Sequence, residues 1–516
     1  MKKVFFLISI IAFSLSSFSQ ESILTPKKQI QKGFASLDYL SIKMPLDKDG
    51  KPEANMGFTG VHYNLWLNKT IYGGLGFYGT VNGKRGGLFT LGLNLGIKKK
   101  ISDKIFIDTG IHLGAGGGAG AQDGGGAFLL PHFNIGYEFE HFSTTLGYSH
   151  VNFFDKGNIN SQQFRIGFQL PLSFDFLNFK EKEKTFTVAK LKNSDWDQKS
   201  AKHSFLLHQN NYAIKGNSQD TKGNIYPKNT TIRVAGLEFT SYLKKNWMLY
   251  FKADGAFHGI DAGYMDIFIG GGYLFSFNKK RTIFSTKFAI GAGGGGGVDT
   301  QGGFLIQPEV SLEHKLFNST FLYLNKGYIL TPNSHFLTST YGIGLKYYTN
   351  NQGIKNKNGD YFNSSKVKGV ELIVGDEIYT QAQRRVSPTQ QLHQFALQVN
   401  LYVFQNIYLA GSTSFASFGN AGAYAEGVVG FGYQTNSFFH NRVQLFGQIL
   451  AGAAGGGDIS TGQGLIIKPS LGINLKLNDK LCLRGSFGKV KARGGSLNST
   501  SFNLGLNYRL GFLTAN

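Results

Sequence analysis

His62, Asp108, His112, His132 and Glu138 are the side chains whose types suit chemistry. Imidazoles and carboxylates gathered at one place bind a metal or run acid–base reactions. Their spacing decides whether they gather. Asp108 and His112 alternate with Ile105, Ile107, Ile111 and Leu113, and His132 and Glu138 alternate with Leu129, Phe133, Ile135 and Tyr137. A period of two puts the polar set on one face of a strand and the greasy set on the other. Two later segments align with this one but do not repeat the ligands. His132 meets Glu309 and Ser470, His112 meets Ala289 and Leu450, and Asp108 meets Ser285 and Phe446. A shared site needs shared ligands, so the expectation is polar filling of a narrow interior. No catalytic, metal-binding or cofactor-binding residue is assigned, and no cofactor is expected. Cys482 is the only cysteine, which excludes a disulfide framework and a zinc-thiolate cluster. It is expected to face inward beside Arg484.

What does recur is a glycine block. Gly114, Gly117, Gly118, Gly126 and Pro131 are matched by Gly291, Gly294, Gly295, Gly303 and Pro308, and again by Gly452, Gly455, Gly456, Gly464 and Pro469. The interval from first glycine to proline is the same in all three. Apolar triplets follow each last glycine: Ala127-Phe128-Leu129, Phe304-Leu305-Ile306 and Leu465-Ile466-Ile467. Glycine at such places lets a strand bend sharply or lets another backbone come close. None of the blocks continues into Gly-Lys-Ser/Thr, so a phosphate-cradling loop is not expected.

The elements that carry these residues are strands. Each copy divides into eight apolar segments of about ten residues, and in the first they run 33–43, 57–67, 71–81, 87–98, 104–116, 126–139, 142–151 and 161–175. The copies are placed at 33–176, 202–349 and 367–513. Polar linkers at 177–201 and 350–366 join them. Tight connections such as Leu67-Asn68-Lys69-Thr70 alternate with longer ones such as Pro45–Met56. Aromatics fall near segment ends, among them Trp66, Tyr72, Tyr137, Trp247, Tyr347 and Tyr508.

Composition agrees with a chain built for a greasy surround. Of 516 residues, 70 are Gly, 46 Phe and 24 Tyr, and only 16% are charged. That is too aromatic for disorder and too poorly charged for an ordinary soluble domain. Lys2 and Lys3, the apolar run Val4–Leu15 and Ser17-Phe18-Ser19 read as a signal peptide over residues 1–19. A net charge of +22 suits nucleic acid or an anionic membrane surface. Export removes the first, so nucleic acid is not an expected partner. Lys84, Arg85 and Lys156 fall in the longer loops, where lipopolysaccharide waits. Lys98–Lys100, Lys279, Lys280 and Arg281 fall in the tight turns, within reach of headgroups or peptidoglycan.

With a signal peptide, ten-residue period-two segments, terminal aromatics and alternating connection lengths, the chain resembles the bacterial outer-membrane β-barrel proteins. The resemblance covers nearly all of residues 33–513. It implies an all-β transmembrane antiparallel barrel in the cell outer membrane, with tight turns in the periplasm and long loops outside. Three times eight strands allows three tandem eight-stranded barrels or, as the alternative, one 24-stranded barrel. Inward glycines and the linker lengths favour three. The expected role is non-enzymatic: structural, adhesive or scaffolding, with outer-membrane lipids, lipopolysaccharide and a periplasmic or surface protein as partners. A 24-stranded channel for small solutes is the alternative. Tyr148-Ser149-His150-Val151-Asn152 also resembles the His-containing loop of outer-membrane lipid A deacylases, which would make the chain an outer-leaflet lipid hydrolase. Asn152 stands where those enzymes carry the nucleophilic serine, two positions after the histidine.

Overall fold

A computed structural model describes residues 25–47, 49–243, 246–332 and 335–515. The segment read as a signal peptide lies outside the described residues. The fold is all-β. The first eight strands are β1 (Gln29–Ile42), β2 (Met56–Trp66), β3 (Ile71–Asn82), β4 (Phe89–Lys100), β5 (Ile105–Gly117), β6 (Phe128–Glu138), β7 (Ser143–Phe153) and β8 (Asn160–Phe176). Neighbours pair antiparallel in order, and β1 pairs back onto β8, with Leu37 opposite Phe168. This closes ring 1. After a three-residue strand β9 (Thr185–Thr187) come β10 (Ala201–Ile214), β11 (Thr231–Tyr242), β12 (Trp247–His258), β13 (Met265–Phe277), β14 (Thr282–Gly294), β15 (Phe304–Phe317), β16 (Thr320–Leu330) and β17 (Leu337–Asn351). β10 pairs along its full length with β17, from Ala201–Asn351 to Ile214–Thr338, which closes ring 2. β18 (Ser364–Ala382), β19 (Gln390–Tyr402), β20 (Ile407–Phe418), β21 (Ala425–Gln434), β22 (Val443–Gly455), β23 (Leu465–Lys476), β24 (Leu481–Ala492) and β25 (Asn498–Ala515) form ring 3. Its closing pair, β18 with β25, runs from Ser365–Ala515 to Tyr379–Ser501. Closure leaves no unpaired ladder edge, as a hydrocarbon surround requires.

Every wall alternates. On β4 and β5, Leu93, Leu95, Ile111 and Leu113 are exposed on the outside, while Asn94 and His112 point into the ring. An apolar exterior over a polar interior suits lipid and would be costly in water. Turns at one end are tight for a visible reason. The Asn68 side chain accepts hydrogen bonds from the N–H groups of Thr70 (2.9 Å) and Ile71 (2.8 Å), and Asn478 does the same for Lys480 and Leu481. These side chains mimic the backbone bond that a turn needs. No helix among the described residues is long and apolar enough to cross a membrane.

The two connecting stretches are folded. β9 pairs with the start of β18, and Leu177 exchanges backbone hydrogen bonds with Gly511 of ring 3 at 2.7 and 2.9 Å. Phe186, Leu191 and Trp196 from the first stretch and Ile354 from the second form one buried cluster with Leu177, Val367 and Leu513. Few apolar residues interrupt these polar stretches, and the ones that do pack both stretches against Val367 and Leu513 of ring 3.

Candidate functional site

The glycine blocks are where the rings touch. Each third strand, β3, β12 and β20, carries a bulge near its end, at register shifts beside Phe58, Val234 and Gln394 of the partner strand. A bulge takes backbone groups out of the ladder. The block of the neighbouring ring takes them up. A Cβ at Gly126 would lie 2.3 Å from the carbonyl oxygen of Ala416, one at Gly303 2.7 Å from that of Thr80, and one at Gly464 2.8 Å from that of Ala256. The three glycines hold φ of 101°, 87° and 108°, a region L side chains rarely adopt. No side chain fits at these positions, so backbone meets backbone. Ala127 donates its N–H to Ser417 at 2.8 Å, and Gly86 donates to Gln301 at 2.8 Å.

The contacts run in one sense. The block of ring 1 meets ring 3, that of ring 3 meets ring 2, and that of ring 2 meets ring 1. Such head-to-tail contacts close a cycle when the rotation between neighbours is right. Burial records it. Phe89, Leu91 and Ala115 point out of ring 1 yet are 1%, 5% and 0% exposed, in a cluster with Ala292 of ring 2 and Phe415 of ring 3. Further along the same strands, Leu93, Leu95 and Leu113 are 41%, 52% and 46% exposed. Gly114, Gly291 and Gly452 serve within their own walls, against the carbonyls of Leu91, Ile267 and Gly427 on the adjacent strand. Gly117 and Gly294 approach Gly422 and Gly86 of other rings, as Gly455 approaches Gly263. Gly118, Gly295 and Gly456 hold positive φ at the strand ends. Pro131, Pro308 and Pro469 lie opposite Ile111, Phe288 and Ile449 on the preceding strands.

Each interior is filled. In ring 1, His62 contacts Asp38 at 2.7 Å and Arg165 also pairs with Asp38. His112 hydrogen-bonds Asn94. Asp108 accepts from Tyr72 (2.7 Å) and Gln169 (3.0 Å), with His132 3.7 Å away. The five polar residues singled out in the sequence thus fall into two groups and a rim. His62 and His112 stand by the Asp38–Arg165 pair, and Asp108 stands by His132. Glu138 pairs with Lys100 at the mouth. Among the described residues, no group of three His, Cys, Asp or Glu could hold a metal ion. In ring 2, Lys287 donates to Glu238 (2.6 Å), Glu309 (2.8 Å) and Tyr323 (2.9 Å), Lys346 to Glu313 (2.9 Å), and Lys252 lies 3.2 Å from Asp254. In ring 3, Lys468 bridges Glu377 and Glu426, and Arg509 pairs with Glu371 at 3.0 Å. Cys482 is buried. Sequence reading missed the networks of rings 2 and 3. Their signal was single charges at inward positions of apolar strands, such as Lys252 in Tyr250-Phe251-Lys252.

A cation–aromatic pair of one design stands at the linker end of each interior. The Lys98 ammonium lies 3.8 Å from the Phe106 ring centre, Lys202 4.2 Å from Tyr348, and Lys182 3.9 Å from Tyr402. The cation is held over the negative face of the aromatic ring. Ring 3 keeps a cavity of ≈ 30 Å³ beside Glu377, Gln448, Lys468 and Arg484, polar and roomy enough to hold water. His150, in the segment likened to a hydrolase loop, hydrogen-bonds Asn160 at 2.6 Å, and Ser149 accepts from Gln163.

No family model and no curated protein matches the chain. Among solved structures, a ferric enterobactin receptor variant of Pseudomonas aeruginosa is 9% identical, with 94% of this chain and 81% of that one covered and a TM-score of 0.28. OccK11 (OpdR) of the same organism is 11% identical, covering 93% and 96%, with a TM-score of 0.22. The outer membrane channel DcaP of Acinetobacter baumannii is 10% identical, covering 94% and 97%, with a TM-score of 0.21. The overlap is too small for the arrangement or activity of those proteins to be carried over. Closed antiparallel rings, apolar outside and polar within, give this chain the fold of a transmembrane β-barrel protein, the build found in bacterial outer membranes.

Proposed function

We propose that the protein is a non-conducting, non-enzymatic scaffold of the outer membrane, made of three sealed eight-stranded barrels that act as one block. The modules would be the units at 33–176, 202–349 and 367–513. The observation that supports this most is the filling of every interior by matched cations and carboxylates above a cation–aromatic pair. An eight-stranded ring has room for its own side chains and little else. The wall pairings favour this reading over a 24-stranded channel for small solutes. Three membrane barrels in one chain bring three sets of outer loops into fixed register, which serves adhesion or assembly of a surface protein.

The test is conductance. Full-length refolded protein inserted into a planar bilayer is expected to give no stable openings above the bare-membrane baseline. Large, long-lived openings in single steps would sink the sealed-barrel reading and favour the channel.

A further inference from the structure

The turn between β13 and β14 gathers cations that nothing answers. Lys279, Lys280 and Arg281 are exposed, and the N–H of Lys315 donates to the Arg281 carbonyl at 2.8 Å. Among the described residues, none of these four side chains has an ion pair. Some other cations at this end do have a carboxylate partner, Lys28 in Asp175 (2.7 Å), Lys180 in Asp479 (2.6 Å) and Lys355 in Asp197 (2.8 Å). The one carboxylate near Lys315 in sequence, Glu313, is taken inside the ring by Lys346 and Tyr348. The turn also holds three successive non-glycine residues at left-handed φ: Asn278 (47°), Lys279 (52°) and Lys280 (65°). Glycine would sit there with less strain, yet the chain keeps lysines.

Depth decides the partner. Phe275 and Phe277 are exposed on the outer wall just before the turn, and Tyr273, on the same face, packs on Trp247 at 5.2 Å. Exterior aromatics of this kind mark the membrane–water boundary. Cations within a few residues of that belt lie at the level of lipid phosphates, and peptidoglycan lies farther out. Charge at the whole end agrees. Among the described residues, its strand ends, turns and linkers carry 26 Lys and Arg against 10 Asp and Glu, while the opposite loops carry 11 against 9. Tight turns and both linkers put this end in the periplasm.

We propose that Lys279, Lys280, Arg281 and Lys315 form a binding site for the phosphodiester headgroup of anionic phospholipid in the periplasmic leaflet. Basic clusters beside membrane segments attract such headgroups by about 1 kcal/mol per cation near the surface, or roughly fivefold in affinity each. The experiment is a titration of the full chain in neutral detergent with dihexanoyl phosphatidylglycerol, read by native mass spectrometry, with dihexanoyl phosphatidylcholine as the uncharged control. The native chain is expected to retain phosphatidylglycerol in preference to phosphatidylcholine. A Lys279→Gln/Lys280→Gln/Arg281→Gln variant should lose at least tenfold, and raised salt should do the same to the native chain. Lys84→Gln/Lys156→Gln, at the opposite end, should change nothing. Heat-modifiable gel migration checks that each variant is folded. Equal retention of the two lipids, or equal loss in both variants, would overturn the site. So would an unchanged affinity in the triple variant, or a loss seen only in binding to peptidoglycan sacculi. None of these outcomes bears on whether the barrels conduct.

Discussion

Lys287→Met is expected to be among the most damaging single changes in the chain. The side chain is buried in ring 2 between Glu238 and Glu309, with the Tyr323 hydroxyl beside it. Met fills much the same volume, so packing changes little. Charge changes a great deal, because two buried carboxylates lose their nearest cation. Breaking a buried pair from one side costs about 3–5 kcal/mol. Lys346 lies 3.7 Å from Glu238 and Lys252 lies 3.8 Å from Glu309, which puts the effect near the lower figure. The readout is the temperature at which the folded band converts to the unfolded one on a denaturing gel. It should fall clearly below that of the native chain. Adding Glu309→Gln to Lys287→Met should recover part of the loss, since one orphaned charge is then removed. An unchanged conversion temperature would mean that water enters ring 2 and screens these charges, contrary to a sealed interior.

Gly255→Leu is expected to loosen the rings without unfolding them. A Cβ at this position would meet only Ala453 of ring 3, at 3.0 Å. Apart from its two chain neighbours, no atom of its own ring lies within 4 Å of that Cβ, so the added bulk presses first on the neighbouring ring. Overpacking a close contact costs about 1–3 kcal/mol, or roughly 5- to 150-fold in a dissociation constant. A protease site placed in the turn Asn356-Lys357-Asn358-Gly359-Asp360 would leave ring 3 held by contact only. Pieces of the native chain should migrate together in detergent. In the variant they should part at least tenfold faster, each keeping its folded migration. If the variant pieces unfold instead, the glycine serves the curvature of its own wall.

Much of the architecture was legible because a strand writes its two faces in alternate letters. Ile105, Ile107, Ile111 and Leu113 gave β5 its outer face, and the read boundaries of the first eight strands fall within a few residues of the observed ones. The glycine blocks were visible as a pattern and opaque as to purpose. Curvature and close backbone approach both ask for glycine, and only the position of Ala416, far along the chain, shows which applies at Gly126. The ion networks hid for a related reason. Glu238, Lys287 and Glu309 stand on three different strands, and a single charge in a greasy segment reads as filler until the ring closes. The connecting stretches looked open because lysine and glutamate dominate them. Trp196, buried and donating its indole N–H to Pro26 at 2.8 Å, is one residue among many polar ones.

Strand pairing shows directly whether each ring closes on itself. Leu207 on β10 and Leu345 on β17 lie opposite one another on the outer wall of ring 2. In a Cys482→Ala background, Leu207→Cys and Leu345→Cys should be joined by oxidation or by a short bifunctional thiol reagent, since opposite Cβ atoms are about 4.5–5.5 Å apart. With a protease site in the exposed Asp220–Asn224 loop between them, the cut pieces should stay linked on a non-reducing denaturing gel. Pieces that fall apart, while Leu207→Cys instead links to Phe168→Cys on β8, would place β8 beside β10 and contradict three self-closed rings.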